Sequence, residues 1–131
     1  MGFNMAGTLI TDTLSNGVNS ATLTDLISGN TKAFVNFNGS NSVSILKSLN
    51  ISSIIDNGVG DYTLNFSVAR LDSNYAVSGI CANNGSFGAV SIMISVLGVT
   101  RLKTKSSVKI ATRNDQGGFT DVDDISIIIY D

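Results

Sequence analysis

At 131 residues the chain has room for one domain with a core of its own. All ten acidic residues are Asp, Gln occurs once, and Pro, Trp and His are absent, so strong helix formers are few and β-branched and turn residues dominate. A hydrophobic content of 43% at a formal net charge of −2 argues against a disordered chain and offers no general basic character for nucleic acid or an anionic membrane.

In chain order, residues 1–30 read as an N-terminal arm or attachment segment, poor in aromatic residues. Within it residues 9–14 are a candidate strand, Asn16-Gly17 a turn, and residues 21–28 a short strand or a single helical turn. Residues 31–131 read as the domain proper. Ala33, Val35 and Phe37 alternate with Phe34 and Asn36, then residues 38–41 turn the chain. A second strand starts at Val43 and Ile45 and is expected to continue through Asn50, Ile51 and Ser52. Residues 56–60 (Asp-Asn-Gly-Val-Gly) are a hairpin signal. The clearest alternation follows, with Tyr62, Leu64, Phe66 and Val68 on one face and Asp61, Thr63, Asn65 and Ser67 on the other.

Tyr75, Val77, Gly79 and Cys81 alternate next, and residues 83–86 turn. Residues 88–97 carry apolar bulk on both faces, so a strand there is expected to be covered on both sides. Residues 107–112 form another strand with Val108 and Ile110 inward, and residues 114–118 a loop. The nearly continuous apolar run 125–130 suits either a central strand or one buried between subunits. The expectation is an all-β fold, an antiparallel β-sandwich of about seven strands after residue 31. No internal repeat points to a β-helix or propeller.

Enzyme readings fail on inventory. Without His the usual general base and the usual metal ligand are missing, and no serine motif with a lysine base is present. A pair of Asp residues of the glycosidase type could meet in space, but nothing marks one. Cys81, the single cysteine, reads as a small buried hydrophobe on a strand and gives no disulfide. The acidic run Asp121, Asp123 and Asp124 has oxygen ligands for Ca²⁺ but lacks the spacing of a calcium loop, so a solvated loop is the expectation. Neither catalytic residues, nor a metal, nor a cofactor are therefore expected.

Five of the eight basic residues lie between 101 and 113. Arg101, Lys103 and Lys105 share a parity, so on a strand they would form a basic stripe, for an anionic glycan or a partner's carboxylates, or simply as a solvated edge that discourages aggregation. Asn38, Asn41, Asn57, Asp61, Asn83, Asn84 and Asp115 lie in or beside turns and are the candidate recognition residues, since loops held on a rigid sandwich are where recognition usually sits. Met1 to Ala6 lacks the pattern of a secretory leader, and residues 88–99, the longest apolar stretch, are too short and too polar for a bilayer. Synthesis in the cytoplasm without membrane insertion is expected.

The run TKAFVNFNGSNSVSILKSLNISSIIDNGVGDYTLNFSVARLDSNYAVSG, starting at Thr31, resembles a domain found at the C-terminus of phage tail fibres and in related phage and prophage proteins. Residues 32–39 match that family's KAWVNFNG strand, with Phe34 in place of the usual Trp. Residues 50–66 match its N-V-S-S-I-x-D-N-G-x-G-D-Y-T-V-N-F hairpin, and residues 73–77 its ANYAV strand. Residues 106–110 and 125–131 resemble its SSVRI segment and closing apolar strand. The resemblance implies a structural or adhesive virion protein, made in the host cytoplasm, that is not an enzyme. With it go the expectations of a homotrimer, as fibre tips commonly are, and of attachment to other virion proteins through residues 1–30; the loops rich in Asn, Asp and Gly would suit a host surface glycan. A head decoration or a neck or tail part without a receptor role is the alternative, and a glycan-degrading enzyme a more distant one. No ligand-binding residues carry over from the family.

Overall fold

A computed structural model describes residues 13–22, 30–82, 91–93 and 102–130. The chain divides into two units, 1–30 and 31–131. In the first, β1 (Thr13–Ser15) and β2 (Ser20–Thr22) form an antiparallel hairpin. Asn16 makes its turn. The Asn16 Oδ1 accepts hydrogen bonds from the Val18 and Asn19 amides at 3.0 and 2.7 Å, and Gly17 takes φ +88°. The rest of the expected strand at 9–14, and residues 23–29, lie outside the described residues.

The second unit contains β3 (Ala33–Asn38), β4 (Ser44–Leu49), β5 (Ile51–Gly58), β6 (Asp61–Phe66), β7 (Ala76–Ala82), β8 (Ser91–Met93), β9 (Ser107–Arg113) and β10 (Asp124–Tyr130). They form two antiparallel sheets, ordered β4-β3-β10-β7 and β5-β6-β9-β8. No helix occurs among the described residues.

The two-residue alternation of the strands supplies the core. Ala33, Val35, Phe37, Ile125, Ile127 and Ile129 come from one sheet, and Tyr62, Leu64, Phe66, Val108 and Ile110 from the other; all are buried. The Phe37 and Tyr62 rings meet edge to face across the sheets, 5.3 Å apart at 76°. Phe66 and Tyr75 form a second such pair at 5.6 Å. The apolar run at the end of the chain proves to be a central strand. Ile125, Ile127 and Ile129 enter the core, while Ile128 and Tyr130, each 38% accessible, face outward.

Two expectations are corrected. The strand predicted to continue from Val43 through Ser52 is cut at Asn50, which adopts φ +56°, so that β4 pairs with β3 in one sheet and β5 with β6 in the other. This corner brings the count to eight strands among the described residues of the second unit, rather than about seven. The Asn50 side chain ties the corner down: Oδ1 accepts the Val68 amide at 2.7 Å, and Nδ2 donates to the Val68 and Lys32 carbonyls at 3.1 and 3.3 Å. Asn tolerates the left-handed region and Ala does not. Asn50→Ala is therefore expected to cost about 2–4 kcal/mol in urea unfolding, from lost side-chain bonds plus backbone strain. Asn50→Gly keeps the backbone freedom and should recover part of that loss; equal losses would remove the backbone share of this account.

The second correction concerns the basic stripe. Residues 102–106 are a tight turn, not a strand. The Thr104 amide donates to the Ser107 carbonyl at 2.8 Å, and Thr104 Oγ1 accepts the Ser107 amide at 2.9 Å. Lys103 and Lys105 therefore do not lie along one strand; Arg101 lies outside the described residues. Of the expected strand over residues 88–97 only β8 is described, on the edge of its sheet beside β9; the remainder lies outside the described residues.

Candidate functional site

Antiparallel pairing decides which loops share an end of the sandwich. The Asn38 end of β3 lies beside the start of β10. The β5–β6 hairpin turns at Val59-Gly60, and the Arg113 end of β9 lies at the start of β6. Three of the four predicted loops, residues 38–41, 56–60 and 114–119, are thereby brought to one end. The fourth, with Asn83 and Asn84, lies outside the described residues.

A buried hydrogen-bond network joins these loops. Tyr62, fully buried, directs its hydroxyl at the Gly39 carbonyl and at Asp121 Oδ1, both at 2.9 Å, so the two acceptors share its single proton. Asp121 Oδ1 also accepts the Gly60 amide at 2.7 Å. The Gly39 amide donates to the Val122 carbonyl at 2.9 Å, and the Thr112 amide to the Gly60 carbonyl at 2.9 Å. Thr112, the buried polar residue of the core, donates its hydroxyl to the Thr120 carbonyl. Burial, and then the hydrogen bond and negative charge of Asp121, hold the Tyr62 phenol well above its ordinary range.

Two glycines are required by this packing. A Cβ on Gly39 would lie 2.5 Å from the Tyr62 hydroxyl oxygen, and one on Gly60, at φ +62°, within 2.6 to 2.8 Å of backbone atoms of Thr112 and Thr120.

The predicted loop residues sit on this frame. Asn38 Oδ1 caps the Ser40 amide at 2.7 Å, and Asn41 takes φ +59°. Asn57 Nδ2 donates to Thr63 Oγ1 at 2.9 Å and approaches Asp61 Oδ1 at 3.4 Å. Asp61 Oδ2 is paired with Lys109 at 3.0 Å. Asn57 and Asp61 are thus brought together, while Asp115 lies exposed on the 114–118 turn, which Asn114 closes by accepting the Gly118 amide at 2.8 Å. Arg113 stacks over the Phe119 ring at 4.2 Å and donates to the Gly117 carbonyl at 2.7 Å, which fixes the far side of that loop.

Of the predicted basic stripe, Lys103 and Lys105 are described. Lys103 donates to the Tyr75 carbonyl at 2.8 Å and lies 5.3 Å from the centre of the Tyr75 ring. Lys105 is exposed, and Arg101 lies outside the described residues. In the acidic run, Asp121 belongs to the Tyr62 network and Asp124 accepts from Asn36 Nδ2 at 2.6 Å. Among the described residues no group of three or more carboxylate, thiol or imidazole side chains is placed to hold a metal ion. The Cys81 thiol is pushed upward by burial and then by the charge of Asp124, which keeps it protonated and weakly nucleophilic.

Sequence reasoning had Tyr62 only as a core residue and Asp121 only as part of an acidic run. Their partnership spans 59 residues, and the available signal was the Gly-x-Gly-Asp-Tyr string, in which Gly60 occupies a position that needs positive φ. Chemically, this end presents amides, carboxylates and one ion pair on a rigid support. Such groups can make many hydrogen bonds to a polar ligand. Searches against known protein families, curated proteins and solved structures found no match to the chain.

Proposed function

We propose that this chain is a structural, non-enzymatic protein of a bacteriophage particle, tail-fibre-like, that presents the loop end of its sandwich outward for contact with a host surface glycan. The observation that carries this reading is the Tyr62–Asp121 network, which pins three loops rich in Asn, Asp and Gly at one end of a rigid sandwich. The resemblance of residues 31–79 to the tail-fibre domain family supplies the biological setting. Residues 1–30 serve in this reading as the arm that joins other virion proteins.

Homotrimer formation belongs to the same proposal. On the outer face of the β4-β3-β10-β7 sheet, Leu49, Phe34 and Ile128 are successive cross-strand partners, so they share a face. Leu49 is 48% accessible, and Ile80 on β7, on the same face, is 73% accessible. The outer face of the other sheet carries Asp61, Thr63, Asn65 and Lys109, with exposed Ile55 beside Thr63. The apolar stripe across three strands of the first sheet is what association between identical copies would hide.

Mass spectrometry and antibody labelling of purified particles from the source strain test the reading. The chain is expected as a stoichiometric component present in a few copies of a trimer at the tail, and in solution at about three times its 13.7 kDa chain mass. Hundreds of copies on the head would favour the decoration reading, and absence from particles would overturn both.

A further inference from the structure

Three Asn-Gly steps lie among the described residues: 16–17, 38–39 and 57–58. At such a step the glycine nitrogen can attack the Asn side-chain carbonyl, because no Cβ hinders closure of the five-membered ring. The three sites differ in what surrounds the attacking nitrogen and the departing amide.

At Asn38 the Gly39 nitrogen is held by the Val122 carbonyl at 2.9 Å and packed against Tyr62. Ring closure there would break the network that holds the loops. At Asn16 the Gly17 amide donates only to the Ser15 hydroxyl, at 3.1 Å, which is a poor base. At Asn57 the arrangement is different. The Gly58 amide donates to the Asp56 carboxylate at 2.9 Å, which places a base on the attacking nitrogen. The departing amide nitrogen of Asn57 faces Thr63 Oγ1 and Asp61 Oδ1, and Lys109, paired with Asp61, offsets the negative charge around the reacting carbonyl. The strand register shifts between Asp56 and Gly58, Gly58 sits at φ +126°, and no atom lies within 4 Å of where its Cβ would be. The hairpin turn is thus uncrowded on the Gly58 side.

We propose that Asn57 is a self-modification site, converting to aspartate and isoaspartate through a cyclic imide, with Asp56 as the positioned base. Asp56 takes the Gly58 amide proton, and the nitrogen forms a bond to Asn57 Cγ. The Cγ–Nδ2 bond breaks, and the amide leaves as ammonia carrying that proton. Water then adds to either carbonyl of the imide and opens it, leaving an ordinary aspartate at this position or its β-linked isomer. No oxidant or cofactor is needed. The product adds a carboxylate to the 56–60 loop, and the β-linked form lengthens its backbone. The chemistry is independent of the virion assignment.

The test is a time course of the purified full chain at pH 8 and 37 °C, read by peptide mapping with enzymatic detection of isoaspartate at each Asn-Gly step. Conversion at Asn57 is expected to run at least about tenfold faster than at Asn38 in the folded protein. The ratio should fall to near one in denaturant, where local surroundings are erased. The isosteric Asp56→Asn variant, whose side-chain oxygen still accepts the Gly58 amide, should slow Asn57 by about tenfold or more, within the range a positioned base supplies. Asn57 converting no faster than Asn38 in the folded chain, or at an unchanged rate in folded Asp56→Asn, overturns the proposal.

Discussion

Gly60→Ala is expected to destabilise the sandwich by about 2–5 kcal/mol, a large share of the roughly 5–15 kcal/mol by which small domains are stable. Two costs add. Ala at φ +62° is strained by about 1–2 kcal/mol. Its Cβ also meets the Thr112 carbonyl oxygen at 2.6 Å and the Thr120 amide nitrogen and carbonyl oxygen at 2.7 and 2.8 Å. These are backbone atoms, held by the Thr112-to-Gly60 and Thr120-to-Thr112 hydrogen bonds, and they cannot swing aside as a flexible side chain would. Overpacking of that kind adds about 1–3 kcal/mol. Gly117→Ala, at φ +79°, is the internal control. It also lies at positive φ, but nothing stands within 4 Å of its Cβ, so it should pay strain alone. Urea midpoints at unchanged slope measure both. Similar losses for the two variants would show that crowding at Gly60 contributes nothing.

The second large effect is a loss of stability in alkali that depends on Tyr62. The folded site holds this phenol protonated above the pH at which an unfolded tyrosine ionises, near 10. Below pH 10 both states carry the proton and the stabilisation is fully present. Above it the unfolded chain releases a proton that the folded chain retains, so stability falls by about 1.4 kcal/mol per pH unit until the folded group ionises as well. Tyr62→Phe removes this titration. It is expected to cost about 1–3 kcal/mol at neutral pH, because Gly39 and Asp121 lose their shared donor, and to show a flatter decline between pH 10 and 12. Parallel declines in the two proteins would mean that the alkaline limit lies elsewhere.

The loop frame that both experiments probe also bears on assembly. Under the proposed receptor role, loops already ordered before binding would lose less conformational entropy on contact. The same network separates two roles: substitution of exposed Asp115 should leave unfolding unchanged, whereas Gly60 and Tyr62 act on the fold itself.

Much of this architecture was legible from residue pattern. The alternation Tyr62, Leu64, Phe66 specifies a half-buried strand because side chains on a strand point to opposite faces in turn, and the Asn57-Gly58-Val59-Gly60 string specifies a hairpin because its backbone needs positive φ. The all-β class follows from a composition that has no Glu and little else to favour helix. The apolar run of β10 left open whether it was central, and pairing with both β3 and β7 answered that.

Other features depended on partners distant in the chain. Nothing in the continuous pattern from Val43 to Ser52 signals that one residue, Asn50, turns the chain from one sheet to the other. The basic stripe required a strand that the Thr104 turn replaces, since hydrogen bonds, not parity, settle where a strand stops. Asp121 became a structural residue only when folding placed it against Tyr62 and Gly60. Local alternation and turn chemistry act between neighbours and can be read from a sequence; which buried polar group satisfies which is settled by long-range packing, where every desolvated donor and acceptor must find its partner.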